Sequence, residues 1–140
     1  MSVLVVDASV GAKWFFEEEY STFSTALLDS RHQLHAPDFF RLELDSIICK
    51  RIRRCEIGVE EGQHVRDTLR VFPVQYHPVN VLDDAAFELA NQTLKSPYDC
   101  VYLALALLLD GRMITADRRF YDTLREGSLG AYLCWVSDSL

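Results

Sequence analysis

The sequence predicts an α/β fold of three layers, α/β/α, around a central parallel sheet of about four to five strands. Three observations lead there. Short apolar or β-branched runs alternate along the chain with longer stretches of helical periodicity, the pattern of βαβ units. The first such run, SVLVVD, is apolar without alternation, as expected of a strand covered on both faces. Residues 101–109, VYLALALLL, are apolar all round, too short to span a membrane and suited to a helix in the middle of a core.

The elements follow in order. SVLVVD is a strand, and ASVGAKWFFEEE continues as a helix in which Trp14 and Phe15 are anchors. EYSTFSTALLDS reads as a second, amphipathic helix with Phe23, Ala26, Leu27 and Tyr20 on its inner face. QLHA is a brief strand. Pro37 and Asp38 then open the long helix DFFRLELDSIICKRIRRC: Pro lacks the N–H that a first turn leaves unpaired, and Asp suits the positive helix end. Gly58 breaks that run before the helix VEEGQHVRDTLRVF. PVQYHPV, with its two prolines, is an edge strand or an extended connector. VLDDAAFELANQT and SPYDCVYLALALLLDG are helices, the second stopped by Gly111. RMITA is a strand, DRRFYDTLREG a helix ending at Gly127, and AYLCWV a last strand.

The chain has 140 residues without repeats, low-complexity tracts or a linker, which predicts one domain over 1–140. With 49% hydrophobic and 25% charged residues it is globular rather than disordered. No apolar run reaches the roughly 20 residues of a membrane span. MSVLVVDASV has no basic region ahead of its short apolar run, so neither a secretion signal nor a membrane role is expected, and the predicted location is the cytoplasm. Cys49, Cys55, Cys100 and Cys134 form no CxxC pair and read as small hydrophobes in a reducing compartment rather than as zinc ligands or disulfides. His32 and His35 lack the further ligands of a zinc set.

The net charge of −7 argues at first sight against a nucleic-acid partner. Acids gathered in one pocket around a divalent cation would weaken that argument. The basic residues are also clustered, in KRIRR (Lys50, Arg51, Arg53, Arg54) and DRRF (Arg118, Arg119). Arg118 and Arg119, beside Asp117, are candidates for contact with a nucleic acid. KRIRR reads either as a solvated helix face or as a phosphate or partner contact.

In open α/β sheets, functional groups collect beyond the carboxyl ends of the strands. Asp7 follows the first strand and Asp117 follows RMITA, both at such ends. Asp99 falls in the first turn of the apolar helix. Glu43 has Phe39, Phe40 and Ile47 one turn away, which turns its carboxylate inward. Taken singly, Asp7, Asp99 and Asp117 are explained as helix caps and Glu43 as a solvated face. Spacing alone does not force them together.

In that order, VVDASV, PDFFRLE, SPYDCVYLALA and ITADRRF resemble the PIN-domain family, and more closely the VapC-type ribonuclease toxins of toxin–antitoxin pairs. The likeness covers nearly the whole chain, and its most specific part is YDCVYLALA followed by ITADRRF. The resemblance implies a PIN-like three-layer fold and a metal-dependent endoribonuclease. It implies that Asp7, Glu43, Asp99 and Asp117 are both the catalytic set and the ligands of Mg²⁺ or Mn²⁺. Ser9 and Thr115 become candidates for orienting a ligand or water. RNA as substrate, a cognate antitoxin protein and a homodimer follow from the same likeness; Trp14, Phe15 and Phe16 are either a dimer surface or, as core packing predicts, interior. One departure is visible: the family often carries Asn three residues after the glutamate, where this chain has Ser46.

Two other readings remain. A phosphotransfer domain with an acidic Mg²⁺ pocket would need adjacent acids after the first strand and a lysine after a later one. Here Asp7 stands alone, and the lysines are Lys13, Lys50 and Lys95. A PIN-like module that binds nucleic acid or protein without cutting would not need all of the acids.

Overall fold

The computed structural model describes residues 2–138. Strands β1 (Ser2–Val6), β2 (His32–Pro37), β3 (Val74–His77), β4 (Arg112–Thr115) and β5 (Leu133–Trp135) form a parallel five-stranded sheet in the order β3-β2-β1-β4-β5. PVQYHPV supplies the edge strand β3, with Pro73 and Pro78 flanking the paired residues. Prolines there interrupt no ladder.

The helices are α1 (Ala8–Ala12), α2 (Ser21–Ala26), α3 (Phe40–Arg53), α4 (Val59–Leu69), α5 (Asp83–Thr93), α6 (Pro97–Leu109) and α7 (Arg118–Leu124). Parallel strands connect by right-handed crossovers. Helices following β1 and β2 therefore cover one face, and those following β3 and β4 the other. On the first face α3 packs against α1 and α4; on the second α6 packs against α5 and lies across β1, β2 and β4. The apolar run dictates this placement: Cys100 to Ala106 are all buried in succession. Gly111 follows α6 because a Cβ there would lie 2.5 Å from the Val3 carbonyl oxygen. Only a residue without a side chain lets β4 start so close to β1.

Several local expectations are corrected. The first helix ends at Ala12, well short of WFFEEE. Phe16 is buried, and Trp14 and Phe15 turn into a ring cluster with Phe40 and Phe72, with Phe15 stacked on Phe72 at 5.0 Å. The core-packing reading of these aromatics is the one observed. In α2 the inward residues are Ser21, Ser24 and, just beyond, Leu27, while Phe23 is 49% exposed and Ala26 faces solvent. Hydrogen bonding decided this face. Ser24 Oγ donates to the Val10 carbonyl at 2.7 Å and Ser21 Oγ to that of Phe16 at 3.0 Å, satisfying buried acceptors.

The long helix α3 starts at Phe40, not at Pro37. Pro37 closes β2, and Asp38 ties down the sheet edge: its N–H donates to the His77 carbonyl at 2.8 Å, and its Oδ1 accepts from the Val79 N–H at 3.3 Å. Of the cysteines, Cys100 and Cys134 are buried, whereas Cys49 and Cys55 are exposed.

Candidate active site

The chain leaves β1 toward β2 on one side, whereas β4 lies on the other, so the sheet has its switch point between β1 and β4. A crevice opens beyond the carboxyl ends of the strands at such a point. Pairing of Val6 with Ile114 puts the residues just after both strands at the same rim. Asp7 and Asp117 stand there. Asp99 comes from the first turn of α6 and Glu43 from the first turn of α3. A cavity of about 990 Å³ is lined by Asp7, Glu43, Asp99 and Asp117 together. Ser9 and Ser46 also line it.

Each carboxylate is anchored within the protein. Asp7 caps α1: its Oδ1 accepts from the Val10 N–H at 2.9 Å and from Ser9 Oγ at 2.7 Å. Asp117 caps α7, accepting from the Phe120 N–H at 3.1 Å, and its own N–H donates to the buried Thr115 Oγ1 at 3.0 Å. Asp99 Oδ2 accepts from Ser96 Oγ at 3.0 Å, while Ser96 itself caps α6 by accepting from the Asp99 N–H. Glu43 Oε1 accepts from the Tyr102 hydroxyl. The cap reading therefore holds for Asp7 and Asp117, and it does not compete with a site. Every one of these bonds falls on a single oxygen of its carboxylate.

The electrostatics record a strain among the acids. Burial pushes the Asp7 carboxyl up to about 6, against the hydrogen bonds of Val10 and Ser9, and the charges of Asp99 and Glu43 push the same way. Glu43 is raised by burial, opposed by the Tyr102 hydrogen bond, with a further push from Asp99. Asp99 is raised by burial, opposed by Ser96, with a push from Asp117 and relief from Lys95. Asp99 thus acts on, or is acted on by, each of the other three acids. The Tyr102 phenol is driven far above its ordinary value by burial and by its carboxylate neighbours, so it remains a donor.

The donor set is all hard oxygen, the chemistry that suits Mg²⁺ or Mn²⁺. Among the described residues, no group of three or more His, Cys, Asp or Glu side chains is gathered closely enough, as the side chains stand, to hold a metal ion. Two carboxylates at about 4 Å repel by roughly 4 kcal/mol at an effective dielectric of 20, a cost that a divalent cation among them would offset. Donor type and electrostatics fit a divalent cation, and the converged shell is what one would have to draw in.

The basic candidates separate. Arg118 lies 3.8 Å over the Trp135 ring and pairs with Asp122 at 3.6 Å, and neither Arg118 nor Arg119 lines the cavity. Within KRIRR, Arg51 pairs with Glu18 and Glu56 and covers the Phe16 ring, whereas Lys50 lines the cavity. Sequence reasoning passed over two features here. Tyr102 was counted within an apolar run, although its place three residues after Asp99 puts it on the same helix face. Asp83 and Asp84, at the start of α5, line the cavity too.

A parallel sheet with carboxylates collected beyond its switch point defines an α/β protein with an acidic, cation-suited crevice. The model of the PIN domain family matches residues 4–125, and the chain belongs to that family. A curated relative, ribonuclease VapC3 of Pyrobaculum aerophilum, is 32% identical over 119 residues, covering 83% of this chain and 90% of that protein. Among solved structures, a toxin–antitoxin complex from Klebsiella pneumoniae superposes with a TM-score of 0.66 at 10% identity, covering 97% of this chain and 99% of that one. Mycobacterium tuberculosis VapC20, a toxin described as cleaving the sarcin–ricin loop, gives 0.61 at 17% identity over 81% of this chain and 87% of its own. The structural matches speak to the fold, and the curated relative places the chain with the VapC-type proteins of the family.

Proposed function

We propose that this protein is a divalent-metal-dependent endoribonuclease and the toxin of a toxin–antitoxin pair, with Asp7, Glu43, Asp99 and Asp117 as its catalytic and metal-holding residues. The observation that carries the reading is the position of Asp99, which shares one cavity with the other acids and interacts electrostatically with each. Membership of the PIN family and relatives named as ribonucleases support it. A divalent cation bound there supplies charge for the phosphoryl oxygens and acidifies water.

The chain's own residues supply the rest. Asp7 and Asp99 are the main holders, with Glu43 and Asp117 completing the set. Ser9 fixes one oxygen of Asp7, and Thr115 fixes the backbone of Asp117, so neither acid has to be ordered when the ion arrives. Lys50, at the wall of the same cavity, is placed to meet an RNA phosphate. Mg²⁺ and Mn²⁺ both match oxygen ligands, and we take Mg²⁺ as the ordinary ion. An antitoxin partner is supported by fold neighbours that are toxin–antitoxin complexes. A homodimer is the assembly we propose. No helix among the described residues is long and apolar enough to cross a membrane.

The test uses metal-stripped protein and a mixture of structured RNAs, with and without Mg²⁺ or Mn²⁺, beside Asp99→Asn. Cleavage that requires metal and disappears in the variant is the expected result. A folded wild-type protein that takes up the ion and cuts no RNA would leave a binding module in its place.

A further inference from the structure

We propose that Tyr102 is the positioning residue of the acidic site: its hydroxyl orients the Glu43 carboxylate toward Asp7 and Asp99, the role the family's usual Asn would suggest for position 46. The inference rests on the reading of the four acids as a cation site and adds a residue to it.

Tyr102 stands three residues beyond Asp99 on α6, so the two side chains leave the helix on one face. It is 2% exposed, yet it lines the cavity. That hydroxyl donates to Glu43 Oε1, joining α6 to α3 across a separation of 59 residues. One hydroxyl therefore links the helix that carries Asp99 to the helix that carries Glu43. The ring is held in turn: Phe39, at the start of α3, packs against it at 5.4 Å and 57°.

Ser46 lines the same cavity one turn after Glu43, but the hydrogen bond that holds the glutamate comes from Tyr102. A carboxylate on a flexible side chain must lose rotamer freedom to become a ligand. A fixed donor on one oxygen has that freedom restricted before the ion arrives, leaving Oε2 for the cation. Outer partners of metal ligands act in this manner, and their removal weakens metal affinity about 10- to 100-fold.

The experiment is a double-mutant cycle read by Mn²⁺ affinity, measured on metal-free protein from the electron paramagnetic resonance of free Mn²⁺, with no RNA present. The proteins are wild type, Tyr102→Phe, Glu43→Gln and the double variant. Phe keeps the ring and its packing on Phe39 and removes only the hydroxyl. The expected result is a loss of about 10-fold in Tyr102→Phe, a loss in Glu43→Gln, and a double variant no weaker than Glu43→Gln alone. Equal affinity of Tyr102→Phe and wild type overturns the proposal. So does a Tyr102→Phe loss that persists in full in the Glu43→Gln background, since a general loosening of the fold would weaken both backgrounds alike. A wild-type protein that binds no Mn²⁺ sinks the cation reading itself and the proposal with it, an outcome distinct from the other two.

Discussion

Two groups of like titratable side chains sit in this molecule, and they handle their likeness in opposite ways. His35 on β2 and His77 on β3 face one another, with His35 Nδ1 2.9 Å from His77 Nε2. One ring donates and the other accepts. Burial and then the charge of His77 hold the buried His35 below its ordinary value, so it stays neutral. The acids at the switch point share nothing. Asp7, Asp99, Asp117 and Glu43 each take a donor from the protein, and burial together with neighbouring acids raises the cost of ionising Asp7, Glu43 and Asp99. The histidine pair settles its likeness by hydrogen-bonding to itself, while His35 Nε2 stays buried without a protein partner. A like cluster that leaves its repulsion unresolved is built for something from outside.

Removing the most connected acid should break this contrast most severely. Asp99→Asn still accepts from the Ser96 hydroxyl, so the fold should hold, while kcat/KM for RNA cleavage falls by about 10³-fold, equivalent to ~4 kcal/mol. Full activity in a folded Asp99→Asn protein would return Asp99 to a structural role at the helix start.

Asp7→Asn should expose what the unresolved charge costs. The folded carboxyl is raised from 3.8 to about 6, so the folded state binds this proton more tightly than the unfolded chain. Its favourable contribution is present below pH 3.8 and is lost as pH rises through about 6. The shift of roughly two units corresponds to about 3 kcal/mol. Urea unfolding in chelator at pH 8 should therefore find Asp7→Asn more stable than wild type by up to ~3 kcal/mol, with the advantage shrinking toward pH 4. Asn can still cap α1. A variant less stable than wild type at pH 8 would mean that burial and the neighbouring acids do not penalise the Asp7 carboxylate as described.

On the histidine side the sign reverses. His77→Leu leaves a buried His35 ring nitrogen without its partner and should cost about 1–3 kcal/mol in the same assay, with Mn²⁺ affinity unchanged. A gain in stability would show that the pair, too, is held under strain. The smallest effect is expected from Ser46→Asn. With Glu43 already held by Tyr102, cleavage should change by less than about twofold, in the range of ordinary surface substitutions. A large gain would show that the usual Asn does something that Tyr102 does not replace.

Much of this was legible in the sequence, and the limits are physical. Alternation of apolar runs with helical stretches pointed to about four to five strands, and the structure has five, the proline-flanked segment being an edge strand rather than a connector. The motif order brought Asp7, Glu43, Asp99 and Asp117 to one cavity. What escaped depends on single long-range hydrogen bonds. The inner face of α2 was misread because Ser21 and Ser24 satisfy carbonyls of Phe16 and Val10. The start of α3 was misread because Asp38 serves the neighbouring strand. Tyr102 and the His35–His77 pair escaped for the same reason, because their partners lie 59 and 42 residues away.

The most direct test of the account is a crystal grown without metal and soaked in MnCl2, with the manganese located by its anomalous scattering. A peak in the crevice, ligated by Asp7 and Asp99 with Glu43 or Asp117 alongside, is the predicted result. An empty crevice whose four carboxylates keep only their protein hydrogen bonds, at an Mn²⁺ concentration that supports RNA cleavage, would contradict it.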